Sequence, residues 1–180
     1  MKKIYQYCGF AVLIAALIGV FVYGSQQVAF SKDKEPEQSP WVLRCADVAD
    51  AKDQSKTVKN CEIFQRLSVK QTGQRIIEFV VGKDAVKEKQ GVKRGVVILP
   101  LGVLIQSGVR MQIDELPAYK FDLHHCTDGG CFAFVDLNSE IITKMKKGDK
   151  AKMTMKSVEG KNVNIVLSLA GFSAAIDKLK

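Results

Sequence analysis

Two histidines and two cysteines fall close together as His124-His125-Cys126-Thr127-Asp128-Gly129-Gly130-Cys131. Imidazole nitrogens and thiolates bind zinc or copper, a free thiolate is a nucleophile, and two cysteines can close a disulfide. Spacing ranks these chemistries. Cys126 and Cys131 are not spaced as C-x-x-C, and no βαβ pattern surrounds them, so a thioredoxin-like redox site is not indicated. Structural zinc usually takes ligand pairs from two separated places, and here there is one cluster. Neighbouring histidines on a regular strand also point to opposite faces. No metal site is therefore expected; His124, His125, Cys126 and Cys131 are the residues that would make one. C-x-x-C-H is missing, so covalent haem is not suggested, and no cofactor is expected.

Other reactive groups are sparse. Asp114, Glu115 and Asp122 flank the same region without a defensible acid–base pairing, and they read as solvated strand faces and turns. Ser107 and Ser173 lack a nucleophile elbow. No phosphate loop or dinucleotide glycine pattern occurs. No catalytic residue is assigned, and the chain is read as non-enzymatic.

Cys45 and Cys61 bring the cysteines beyond the N-terminal segment to an even set, which in an oxidising compartment is read as disulfides. Three pairings are possible. Local closure favours Cys45–Cys61 and Cys126–Cys131, the second allowed by the foldable Gly129-Gly130. Loop-closure entropy gives about 3 kcal/mol for the larger loop and about 2 kcal/mol for the smaller.

The N-terminus supplies the compartment. Lys2 and Lys3 precede Tyr7–Tyr23, a run without charge. As a helix that run spans roughly 25 Å, long for a signal-peptide core and short for a full bilayer span. The two lysines stay on the cytoplasmic side, so the rest crosses. Residues 1–24 are thus a signal peptide or a membrane anchor. Val22-Tyr23-Gly24 is a usable cleavage site without the A-x-A form, which leaves both open. Residues 25–40, with Pro36, Pro40 and mixed charge, form a flexible linker.

The positioning elements follow in residues 41–180. The most apolar part, Gly95–Ile105, is broken by Pro100 and Gly102 and reads as strand, turn and short strand. Trp41–Cys45, Cys61–Val69 and Arg75–Val81 are strands before it, with polar connections over Asp47–Lys59 and Asp84–Arg94. Val109–Ile113, Tyr119–Cys126 and Cys131–Val135 are strands after it. Regular alternation along Tyr119–Cys126 places His124 and Cys126 on the wetter face and His125 toward the core. Asn138 or Ser139 caps a helix over Glu140–Lys147, which Gly148 ends. Ala151–Met155 and Val163–Leu169 alternate about a turn at Val158–Lys161 and form the clearest hairpin. Gly171–Lys180 closes as a short amphipathic helix. The fold class is mainly β: an antiparallel β-sandwich or partly open barrel with one short helix near 139–147 and a short C-terminal helix, preceded by an N-terminal apolar helix.

Net charge is +8; without residues 1–24 it is +6, from 25 basic and 19 acidic side chains. That balance permits weak binding to anionic surfaces. Lysines are dispersed and no basic–aromatic module is present, so no nucleic-acid partner is expected.

The chain resembles the invasion associated locus B family of bacterial envelope proteins. The resemblance is carried by Trp41 with Cys45, Cys61-Glu62 with Gln65, and Leu99-Pro100-Leu101-Gly102-Val103. It continues through Gly108-Val109, Ile113-Asp114, Cys126 and Gly130-Cys131 to Leu167-Ser168-Leu169-Ala170-Gly171-Phe172-Ser173-Ala174-Ala175. It implies an exported β domain with two local disulfides, linked in some pathogens to host-cell entry, and supplies no catalytic mechanism. Together these readings place the protein on the periplasmic side of the inner membrane, anchored or released, or at the cell surface. There it would serve an unknown protein or envelope component. The alternative is a thiol-redox or metal-binding periplasmic protein built on His124–Cys131.

Overall fold

The computed structural model describes residues 37–38, 40–50, 53–83 and 93–179. Two antiparallel sheets share one hydrophobic core. The first contains β1 (Glu37–Gln38), β2 (Val42–Ala49), β3 (Thr57–Ser68), β4 (Arg75–Lys83), β5 (Lys93–Leu99), β8 (Leu123–Thr127) and β9 (Gly130–Leu137). Its order is β1-β3-β4-β5-β9-β8, with β2 also paired to β3. The second contains β6 (Val109–Ile113), β7 (Tyr119–Phe121), β10 (Lys150–Lys156) and β11 (Asn162–Ser168), in the order β11-β10-β6-β7. Two α-helices are also described, α1 (Ser139–Lys147) and α2 (Phe172–Ile176). The mainly β, two-sheet architecture is the one the alternation predicts.

Period-two patterning explains which faces meet. Ile63, Ile77, Phe79, Val97 and Leu99 of the first sheet and Met111, Ile113, Met153 and Leu167 of the second are buried in the same cluster. Gly95 belongs to this layer for want of space: a Cβ there would stand 2.8 Å from the Phe79 ring. Trp41 fastens the two sheets. Its ring meets Phe79 edge-on at 6.0 Å and Phe172 at 5.0 Å, and its Nε1 donates to Ser168 O at 3.0 Å. Asn138 caps α1 by accepting from Ile141 N, and Gly148 stands at the C-cap.

Several boundaries differ from the sequence reading. The polar stretch 47–59 is strand at both ends: β2 continues to Ala49 and β3 starts at Thr57, because charged side chains are tolerated on a hairpin that projects into water. Val103 makes a single bridge to Ser157, and Ile105–Ser107 is a 3₁₀ turn rather than a strand. Tyr119–Cys126 is not one strand. Tyr119–Phe121 pairs with β6, Leu123–Thr127 pairs with β9, and Asp122 is the corner at which the chain changes sheets. The expected connection at Asp84–Arg94 ends sooner, since Lys93 and Arg94 are already in β5. The expected N-terminal apolar helix lies outside the described residues. Among the described residues, no helix is long and apolar enough to cross a membrane.

Candidate functional site

The four cysteines are joined as two cross-strand disulfides. Cys45 and Cys61 face each other in the β2–β3 register, with S–S 2.11 Å and Cα–Cα 4.0 Å. Cys126 and Cys131 do so across the β8–β9 hairpin, with S–S 2.08 Å. Gly130 makes that tight turn possible: its φ is +122°, and a Cβ would lie 2.3 Å from Leu99 O. Arg75 donates from its guanidinium to Gly129 O and steadies the turn. Cys131 is buried and Cys126 is exposed. With both sulfurs oxidised, the cluster presents no thiolate.

The histidines do not alternate. Leu123 stands opposite Ala133, but His125 stands opposite Phe132, so β8 spends two residues where β9 spends one. This bulge disposes of the expected core position for His125. Both rings are exposed, and their Nδ1 atoms approach to 2.9 Å. That contact needs one Nδ1 to carry a proton and the other to accept it. His125 lies flat on Phe132, 4.8 Å between centroids at 6°, and His124 tilts against Phe134 at 4.9 Å. The cluster is thus an aromatic–imidazole stack on an edge strand. Among the described residues, no three or more His, Cys, Asp or Glu side chains are grouped to hold a metal.

Asp114, Asp122, Ser107 and Ser173 have structural partners. Asp114, at φ +47°, accepts from Asp149 N at 3.2 Å and Lys150 N at 3.1 Å. Asp122 pairs with Lys120 at 3.6 Å. Ser107 Oγ donates to Leu104 O at 2.8 Å, and Ser173 Oγ donates to Lys146 O at 3.0 Å. None of these groups is set against a second one for proton transfer.

The outer faces of the sheets differ sharply in chemistry. On the first, Phe64, Val80, Val96 and Phe134 form one row across four strands. Arg44 and Arg66 lie over Phe64 at 4.8 and 5.9 Å, and Arg94 lies over Phe134 at 5.5 Å. Arg44 holds Glu62, and Arg66 Nε holds Glu78 at 2.7 Å. On the second sheet the outward residues include Lys120, Arg110, Lys150, Lys152 and Lys156, with no carboxylate in register beside them. The alternating lysines of β10 are visible in the sequence. That β6 and β7 add Arg110 and Lys120 beside them was not, because strand order is not a local property.

The sequence model described as invasion associated locus B (IalB) protein matches residues 41–180. Two relatives, each called an invasion protein B homolog, come from Brucella abortus strains 2308 and biovar 1 (9-941). Each is 24% identical over 179 residues, covering 99% of this chain and 97% of the relative. A crystal structure of invasion associated protein B from Bartonella henselae superposes with a TM-score of 0.65 at 21% identity. That match covers 81% of this chain and 94% of the other, and it speaks for a shared fold.

Proposed function

The chain belongs to the invasion associated locus B family, and on that premise we propose that it is an exported, non-catalytic envelope protein whose β domain acts by interaction. The observation that carries this reading is the pair of cross-strand disulfides. Such bonds persist in oxidising compartments and are rare in the cytosol. The uncharged run at 7–23 behind Lys2 and Lys3 supports delivery across the inner membrane. The domain then works on the periplasmic side, anchored or released, or at the cell surface. Its partner is a protein or another envelope component. A contribution to host-cell entry follows the names of its relatives.

The test is to trap thiols in intact cells with an alkylating reagent, fractionate, and follow the chain. The expected result is a polypeptide in the envelope or periplasmic fraction with Cys45, Cys61, Cys126 and Cys131 all unreactive. Recovery in the cytosol with those four thiols alkylated overturns the proposal. A second reading, redox or metal chemistry at His124–Cys131, is favoured by the 2.9 Å approach of the two imidazoles. Disulfide turnover by a glutathione couple, or stoichiometric copper or zinc lost in the H124Q/H125Q variant, would establish it in place of the first.

A further inference from the structure

The three most exposed large apolar side chains of the described residues gather at one end of the sandwich: Val158 at 62%, Leu101 at 61% and Ile105 at 57%. Backbone bonds hold their segments together. Leu104 N donates to Lys156 O at 2.8 Å, and Val158 N donates to Gly102 O at 3.0 Å. Next to them is a cleft of about 390 Å³ whose lining includes Ser107, Arg110, Lys120, Thr154 and Lys156. Every ionic group in that lining is a cation. Arg110 and Lys156 have no ion-pair partner among the described residues, and Lys120 meets Asp122 only at an exposed 3.6 Å. Lys150 and Lys152 continue the positive charge along β10, spaced about 7 Å apart on the same face.

The first described strand also starts at this end. Glu37 of β1 is opposite Ser68, the last residue of β3. Because β3 and β5 each run antiparallel to β4, they end together, and Leu99 at the end of β5 leads directly to Leu101. A cationic cleft alone would suit a soluble phosphate, and exposed apolar tips alone would suit a protein groove. Side by side they fit the headgroup boundary of an anionic bilayer, where basic groups meet phosphate and apolar side chains enter the acyl edge.

We infer that this end of the domain docks on a bilayer bearing anionic phosphate headgroups. Arg110, Lys120 and Lys156 meet the phosphates while Leu101, Ile105 and Val158 enter the interface. The inference rests on the envelope reading above and names the surface through which the domain would meet the envelope.

Hydrogen exchange on the full chain incorporated into vesicles tests it. Segments 101–108 and 154–162 report the docking end, and 60–66 and 94–98 serve as reference segments on the opposite sheet. With phosphatidylglycerol-containing vesicles, exchange in the first pair slows and the second pair is unchanged. The effect weakens as salt rises and is absent on pure phosphatidylcholine. R110Q and K156Q each reduce the docked population about fivefold, the effect of one basic group at an anionic surface. L101S/V158S reduces it as well. Equal protection on neutral vesicles, no protection while the chain remains vesicle-bound, or full protection by inorganic phosphate alone overturns the inference. None of these outcomes touches the envelope reading, whose failure shows instead as a reduced chain in the cytosol.

Discussion

On the outer face of the seven-stranded sheet, Glu62 and Glu78 each have a guanidinium against them, and Phe64 and Phe134 lie beneath arginines. On the outer face of the four-stranded sheet, five cations stand with no carboxylate in register. Paired charge over aromatic rings satisfies itself within the domain. Like charge with no acid across from it in the sheet repels and adds nothing to folding. The first face is accounted for by stability, and the second is not.

The strongest way to probe this contrast is to ask whether the two faces belong to one cooperative unit. Trp41 touches Phe79 behind the first face and Phe172 and Ser168 beside the second. W41A should cost about 3–5 kcal/mol, as large aromatic truncations do. Urea unfolding should still be a single transition by fluorescence-independent probes. Two separated transitions would mean that the sheets are independently stable and that the comparison concerns two bodies.

Next come the disulfides, both of which staple the seven-stranded sheet. Their sequence separations are 16 and 5 residues. C45A/C61A should lower stability by about 3 kcal/mol and C126A/C131A by about 2 kcal/mol. Denaturant midpoints in the absence of reductant decide the order, and a reversal would show that closure of the longer loop is not what stabilises that sheet.

A smaller effect sharpens the contrast directly. The Glu78 side chain is 3% exposed and Arg66 42%, with Arg75 3.9 Å away as a partial substitute. R66Q should cost about 1–2 kcal/mol once the half-exposed guanidinium is discounted for screening. K152Q on the other sheet should stay within about 0.5 kcal/mol. If the two substitutions cost the same, the distinction between a self-satisfied face and an outward-directed one fails.

The smallest expected effect is electrostatic and lies between α1 and β7. Hydrogen bonds to Glu140 first and then to Tyr119 raise the Lys144 ammonium above its usual 10.5. A raised cation stabilises fully below its unfolded value and loses that contribution as pH climbs through the folded one. The difference in thermal midpoint between the parent chain and K144M should therefore shrink as pH rises above about 10.5. A constant difference would assign the role of Lys144 to packing.

Much of the fold is legible before any coordinates. Ala151, Met153 and Met155 against Val163, Ile165 and Leu167 declare a hairpin, and Asn138 with Gly148 brackets a helix, because alternation and capping involve residues close in sequence. His125 is the instructive miss. Strict alternation sends it inward, but one extra residue opposite β9 turns it outward against His124. A bulge is a property of two paired strands, and no period within one strand announces it. Asp122 teaches the same lesson at larger scale: the residues on either side of it find different partners, β6 and β9, which the continuous apolar–polar pattern conceals.

By itself, the sequence determined a β-rich domain with an even set of cysteines beyond residue 40 and an uncharged run near the N-terminus. These follow from composition, charge and spacing along the chain. Only the tertiary structure decided that Arg110, Lys120 and Lys156 share a cleft, that Leu101, Ile105 and Val158 share an end, and that the two imidazoles meet. Each of these depends on which strands lie side by side and in what register, and pairing between distant segments is set by burial of the common core rather than by any residue's near neighbours.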